Sequence, residues 1–296
     1  VGMIHREIII LGAGPAGLTA GLQLRRQGFS PLVLEKKQAG GLLHNANLVE
    51  NYPGFPGGIR GRTLVNKFVD QVERVGLDLH RAEVELLGQE GDTLILETDG
   101  ETYAADIVVV ATGTEPIPFR DVSFSNDVLE RVFYDVYPLE KVQGKRFIIV
   151  GGGDAALDYA LNLGENNQVI ILNRGQAVKG LSLLRDRIQR RRSISCYSGH
   201  QVIDVQLMPE GALQVDAVAE DIVRSFQSEY LLIAIGRRPA LGYFDAEMED
   251  QVASLVAEGR LYFIGDVKNG LYRQTAIAVG DGLRAAMEIK QRQSGG

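Results

Sequence analysis

The sequence holds a single cysteine, Cys196, among its 296 residues. One thiol can close no disulfide within the chain and can build no thiolate metal cluster. Long apolar runs are missing as well. No stretch approaches the roughly 18 residues that a membrane-spanning helix requires. Positive charge is in short supply: 31 Lys and Arg stand against 38 Asp and Glu, for a net charge of −7. That balance argues against nucleic acid as the main partner, because phosphate binding needs a basic surface. His5, His44, His80 and His200 have no metal-ligand spacing, and no Ser-His-acid or paired-carboxylate arrangement stands out. No signal-peptide pattern precedes the first strand, so a cytoplasmic setting without a metal centre is the expectation.

Glycine is plentiful, with 35 residues clustered just after apolar runs. That is where a backbone must come close to a ligand. The length suggests two domains. Apolar patterning predicts strands over Glu7–Leu11, Pro31–Glu35, Thr93–Glu97 and Asp106–Val110, with helices over Ala16–Gln27 and Thr63–Val75. A Pro-rich passage at Glu115–Phe119 marks a domain crossing. The scheme then restarts with strands at Arg146–Val150 and Val169–Leu172, and a hairpin of Gln201–Met208 with Ala212–Ala219. Tyr230–Ile235 leads to a second crossing at Gly236–Pro239. A strand at Leu261–Ile264 and a helix at Gln274–Lys290 follow, with a frayed tail after Arg292.

A strand–glycine–helix–strand unit therefore occurs twice. The first carries Gly12-Ala13-Gly14-Pro15-Ala16-Gly17. Its first glycine allows a tight turn, the second lets backbone approach a pyrophosphate, and the third lets helix and strand pack closely. Glu35 ends the next strand, where an acid accepts hydrogen bonds from a ribose diol. The bland alternative is a Gly-rich turn beside an exposed acid. The second unit carries Gly151-Gly152-Gly153-Asp154-Ala155-Ala156. Asn173 and then Arg174 follow its second strand, with Lys179 nearby. The missing acid and the added cations lean toward NADPH over NADH. The alternative there is a degenerate domain that binds nothing.

These motifs continue in order with Gly40-Gly41-Leu42-Leu43, Val49–Phe55, Ala111-Thr112-Gly113, Ala234-Ile235-Gly236, Gly265-Asp266 and Tyr272-Arg273-Gln274-Thr275. The whole chain resembles low-molecular-weight thioredoxin reductases. The resemblance implies an α/β fold of two Rossmann-like domains, the second inserted into the first. FAD would be held by residues 1–115 and 239–296, and NAD(P)H by residues 116–238. It gives Asp266 the flavin ribityl chain and places Arg273, Gln274 and Thr275 along the flavin pyrimidine edge. Asn51 would lie close to the isoalloxazine, with Gly41 and Leu42 nearby, and Val84 would approach the adenine through its backbone. Pro15, Ala16, Ala111, Thr112, Gly113 and Gly265 complete the expected FAD contacts. Gly151, Gly153, Asp154, Ala155, Asn173, Arg174, Lys179 and Gly236 make up the expected nucleotide contacts. A homodimer is also implied.

Thioredoxin reductases carry a Cys-x-x-Cys before the second glycine cluster, and Ser125–Gly144 contains no cysteine. Cys196 falls in an apolar strand, where a lone cysteine is usually a small core residue. Val132–Val136 leading to Gly144-Lys145-Arg146 instead resembles thioredoxin-reductase-like ferredoxin (flavodoxin)–NADP reductases, which lack the cysteine pair. Two positions depart from these patterns. Leu42 stands where thioredoxin reductases have Gln, and the C-terminal aromatic extension usual in those NADP reductases is not expected after Met287. The expected activity is transfer from NADPH through FAD to a non-disulfide acceptor, foremost ferredoxin, flavodoxin or a small acceptor such as a ferric complex, with quinones and oxygen also open. The other possibility is a flavin-binding protein with a degenerate nucleotide domain, fed or read by a protein partner. Arg185, Arg187, Arg190, Arg191 and Arg192 form a basic run, read as a solvated helix face or a docking site for an acidic partner.

Overall fold

Ile8, Ile9, Ile10 and Leu11 are consecutive apolar residues, the pattern of a strand covered on both faces. All four are buried at the end of β1 (Ile4–Leu11). The computed structural model describes residues 2–295 and divides them into two units. The first comprises residues up to His44, Val49–Glu115, and those from Arg238 onward. The second comprises Asn45–Leu48 and Pro116–Arg237.

In the first unit, β1 leads through α1 (Pro15–Arg26) to β2 (Leu32–Glu35). Pro15 occupies the first helical turn, where its missing N–H costs nothing. Gly28, at φ +94°, ends the helix in a conformation that side chains resist. The chain then forms α2 (Gly61–Arg74), β3 (Asp78–Arg81), β4 (Val84–Glu90), β5 (Thr93–Thr98) and β6 (Thr102–Val110). β3, β2, β1 and β6 run parallel, and β5 and β4 extend the sheet antiparallel. Leu64, Val65 and Val72 form the buried stripe of α2.

The second unit follows β7 (Thr114–Pro116), with α3 (Asn126–Leu129), β8 (Val132–Phe133), β9 (Arg146–Val150), α4 (Asp154–Leu163), β10 (Gln168–Asn173), α5 (Ser182–Gln189) and β11 (Ile194–Ser198). Then come β12 (Gln201–Leu207), β13 (Leu213–Ala219), β14 (Ile222–Ser228), β15 (Tyr230–Ile233) and β16 (Arg237–Pro239), the last pairing with β7. A parallel sheet has the order β11-β10-β9-β15-β8. Phe147 and Ile149 pack with Ala156, Leu157 and Ala160 of α4. Ile148 and Val150 pack with Val202, Val215 and Phe226 of the antiparallel sheet β12-β13-β14. That sheet has one strand more than the expected hairpin. β14 has no clean alternation to mark it in sequence, because Ile222 and Val223 are exposed and only Phe226 and Ser228 are buried.

The chain returns to the first unit with α6 (Ala246–Glu249), α7 (Val252–Glu258), β17 (Leu261–Phe263) and α8 (Thr275–Gln293). β17 pairs with β6 in parallel, although some 150 residues separate them in sequence. Ile8 and Ile10 face α1 and α8, while Ile9 and Leu11 face β4, β5, Met248 and Leu255. Gly282 permits the close crossing of α1 and α8, since a Cβ there would lie 2.4 Å from the Ala16 carbonyl oxygen. α8 runs through Gln293, beyond the expected start of the tail.

Cys196 departs from expectation. It lies on β11, the edge strand of its sheet, and it is exposed rather than packed in a core. Only Ile194 of that strand is buried. The surrounding protein is nonetheless dense enough to raise its thiol pKa.

Candidate functional site

The turn after β1 is tight in two places and open in one. A Cβ on Gly12 would lie 2.6 Å from the Ala111 carbonyl oxygen, and one on Gly17 would lie 1.9 Å from that of Gly12. A Cβ on Gly14 would meet nothing within 4 Å. The N-terminus of α1 has no side-chain cap and no acid in its first turn. Free N–H groups and the helix dipole at such an end suit an anion.

Glu35 is tied into this turn. Its Oε2 accepts the Ala13 N–H at 2.8 Å and its Oε1 accepts the Lys37 N–H at 2.9 Å. Each carboxylate oxygen retains a further acceptor site. Gly40 donates its N–H to the Ala13 carbonyl at 2.7 Å, which brings Gly41 alongside Gly14, and half-buried Leu42 follows it. Ala82 donates to the Glu35 carbonyl at 3.1 Å, so Val84 starts β4 two residues beyond that contact.

Several of the expected flavin-side residues are held by specific contacts. Asn51 Nδ2 donates to Gln274 Oε1 at 2.6 Å, and Gln274 caps α8 just ahead of Thr275. Arg273 precedes them in the same segment. Ala111 is buried against the Gly12 turn. Thr112 Oγ1 donates to the Ala240 carbonyl at 2.8 Å, and the Ala240 N–H donates to the Gly113 carbonyl at 3.1 Å. Gly265 and Asp266 form a single 3-10 turn, and a Cβ on Gly265 would stand 2.8 Å from that of Ala16.

Two residues in this region lie outside the sequence motifs. Asp281 Oδ2 accepts the Gly265 N–H at 3.0 Å and Asn269 Nδ2 at 2.7 Å, while Lys268 Nζ lies 3.4 Å from Oδ1. One carboxylate thus fixes the Gly265–Asp266 turn from within α8. The acid between two glycines, Gly280-Asp281-Gly282, was its only trace in sequence. Tyr243 is the other: its hydroxyl lies 3.2 Å from Thr112 Oγ1, and burial raises its pKa strongly.

The second turn repeats the design with differences. A Cβ on Gly151 would lie 2.3 Å from the Ala234 carbonyl oxygen, whereas Gly153 has nothing within 4 Å. Gly151 therefore packs against the segment that leads to Gly236, which sits at φ +122°. Ala156 replaces the third glycine without conflict, its Cβ 3.5 Å from where one on Gly151 would stand. Asp154 begins α4 beside Ala155, and its Oδ1 accepts the Leu181 N–H at 2.7 Å. The Gly152 carbonyl accepts the N–H groups of Lys179 at 2.8 Å and Gly180 at 3.2 Å. Asn173 is buried, and Arg174 and Lys179 are exposed.

Both turns fit the pyrophosphate of a dinucleotide: open backbone at Gly14 and Gly153, close packing elsewhere, and an uncapped helix start. Arg185, Arg190, Arg191 and Arg192 are exposed on α5 and the turn after it. No group of three or more His, Cys, Asp or Glu among the described residues could hold a metal ion. No helix of the described residues is long and apolar enough to cross a membrane.

A family model described as pyridine nucleotide-disulphide oxidoreductase matches residues 6–282. Thioredoxin reductase of Borreliella burgdorferi is 27% identical, over 96% of this chain and 90% of its own. NADPH-dependent thioredoxin reductase 3 of Arabidopsis thaliana is 28% identical, over 98% of this chain and 59% of its own. Among solved structures, T. acidophilum thioredoxin reductase superposes with a TM-score of 0.85 at 25% identity, covering 98% of this chain and 99% of that one. The bacillithiol disulfide reductase of Bacillus cereus shares the fold with a TM-score of 0.75 at 19% identity, covering 97% and 99%.

Proposed function

We propose that this chain, which belongs to the pyridine nucleotide-disulphide oxidoreductase family, passes electrons from NADPH through FAD to an acceptor that is not a disulfide. FAD and NADPH are the cofactors of thioredoxin reductases, the relatives it matches. The observation that carries the choice of acceptor is the thiol count. Cys196 is the sole cysteine of the sequence. Dithiol exchange needs an attacking and a resolving thiol. The acceptor is then ferredoxin, flavodoxin or a small ferric complex. The enzyme works as a homodimer, a reading that rests on the resemblance alone.

When bound, FAD supplies the acceptance and onward transfer of electrons that no side chain offers. The chain's own residues bind and orient. Residues 1–115 and 239–296 hold FAD: the Gly12–Gly17 turn takes its pyrophosphate and the spare acceptor sites of Glu35 take a ribose diol. Asp266, pinned through Gly265 by Asp281, takes the ribityl chain. Asn51, Arg273, Gln274 and Thr275 line the flavin edge. Half-buried Leu42 makes that surrounding more apolar than a Gln would. Residues 116–238 hold the nicotinamide nucleotide: the Gly151–Gly153 turn takes its pyrophosphate, and Arg174 and Lys179 take its 2′-phosphate.

Anaerobic NADPH should bleach the bound flavin. A stopped-flow panel of ferredoxin, flavodoxin, ferric citrate and thioredoxin then identifies the acceptor. Reoxidation by thioredoxin alone would overturn the proposal. A flavin that stays oxidised under NADPH would favour a degenerate second domain read by a protein partner.

A further inference from the structure

The residue that ends the second strand differs between the two units in charge and in use. Glu35 keeps its carboxylate toward the glycine turn, accepting from Ala13. Asn173, in the same place after β10, turns its amide on the loop that follows. Nδ2 donates to the carbonyls of Gly175 and Ala177, both at 3.0 Å, and Oδ1 accepts the Gly175 N–H at 3.2 Å. Both amide hydrogens are committed, and none remains for a phosphate.

The loop so curled is anchored on three further sides. Gly152 receives Lys179 and Gly180 through its carbonyl, and Asp154 receives Leu181. The Gly199 N–H donates to the Gly175 carbonyl at 2.9 Å, and the His200 N–H to the Asn173 carbonyl at 3.0 Å. The Asn173 amide also lies close against the glycine turn: a Cβ on Gly152 would stand 2.6 Å from its Cγ. Arg174 and Lys179, both exposed, stand at the two ends of the segment that Asn173 holds.

We infer that Asn173 is a positioning residue for recognition of a 2′-phosphate: it touches no part of the nucleotide and acts by holding Arg174 and Lys179 in one loop geometry. Its neutrality matters too, since a carboxylate at this place would repel the phosphate it helps to seat. The inference rests on the NADPH reading above.

The test uses 2′,5′-ADP and 5′-AMP, which differ only in the 2′-phosphate and need no flavin chemistry. Calorimetry on the flavin-loaded protein compares wild type with Asn173→Ala and Asn173→Asp. Asn173→Ala should weaken 2′,5′-ADP about tenfold, as expected when a hydrogen-bonded clasp is lost, and leave 5′-AMP within about twofold. Asn173→Asp should weaken it further. In flavin reduction by NADPH, the nucleotide concentration for half-maximal rate should rise while the limiting rate holds. Asn173→Ala added to Arg174→Ala with Lys179→Ala should cost little more than that pair alone, because Asn173 acts through both. Equal loss of both ligands, or no loss, would overturn the inference, as would full additivity. If wild type reduces with NADPH yet Asn173→Ala discriminates normally, this inference fails alone. If wild type neither binds 2′,5′-ADP nor reduces, the NADPH reading fails with it.

Discussion

Asn51 and Gln274 lie 223 residues apart in sequence, and the Asn51 amide donates to the Gln274 side chain at 2.6 Å. The bond ties the loop after Gly41–Asn45 to the start of α8. It links two of the groups assigned to the flavin edge. A neutral hydrogen bond of this kind contributes about 0.5–1.5 kcal/mol. Asn51→Leu and Gln274→Leu should therefore couple by about that amount in a double-mutant cycle on flavin affinity. Independent effects would mean that the pair does not organise the site.

Gly14 separates binding from folding. A Cβ on Gly14 would meet nothing within 4 Å, and its φ of −73° suits any residue, so Gly14→Ala should leave the apoprotein within about 0.5 kcal/mol of wild type, and Gly14→Leu should fold too. Flavin retention should be lost in Gly14→Leu, because the new side chain fills the space a pyrophosphate needs. Gly17→Ala should behave oppositely, since its Cβ would lie 1.9 Å from the Gly12 carbonyl oxygen. It should cost about 1–3 kcal/mol of stability through forced displacement. Denaturant melts, absorbance of the purified protein near 450 nm (roughly where oxidised flavins absorb) and mass spectrometry of the released flavin read both. Recovery of FMN in place of FAD would count against the role of Glu35 at a ribose diol.

Asp281 holds the Gly265 N–H, the Asn269 amide and the Lys268 ammonium at once. Bonds to an ionised acceptor contribute about 1.5–3 kcal/mol. Asp281→Ala should lower unfolding free energy by roughly that much and speed flavin release, since the turn that presents Asp266 loses its anchor. Asp281→Asn should recover part of the stability. A variant as stable and as tightly flavinated as wild type would remove Asp281 from the site.

Much of this was legible in sequence because the informative residues sit where chain geometry is tight. Gly12, Gly14 and Gly17 are spaced by the turn itself, and apolar runs such as Ile8–Leu11 mark strands buried on both faces. What stayed hidden was long-range or weakly patterned. Asp281 acts on a turn 16 residues away through a single carboxylate. β14 presents Ile222 and Val223 to solvent and so reads as loop. Asn173 looked like a ligand by position, and only its hydrogen bonds reveal that its amide is spent on its own loop. Cys196 reads as core because a lone strand cysteine usually packs inside, but β11 is an edge strand carrying Ser195 and Ser198, and it leaves the thiol uncovered.

Cys196 also sets the last expectation. The chain should show no NADPH-linked reduction of thioredoxin, because one thiol can attack but none is present to resolve. Local protein density raises its pKa, so at a given mildly alkaline pH it carries less thiolate than a free cysteine. Alkylation by iodoacetamide at pH 8 should accordingly be slower than for a cysteine in an unfolded peptide. The linkage has a definite sign. A thiol whose pKa is higher folded than unfolded favours the folded state less as pH rises past the unfolded value, and the loss ends above the folded value. Cys196→Ser should flatten that alkaline fall in stability while leaving flavin reduction and delivery to ferredoxin or ferric citrate unchanged. Thioredoxin turnover that vanishes in Cys196→Ser would defeat the assignment, since it would require a mixed disulfide at Cys196 resolved by a thiol from another molecule.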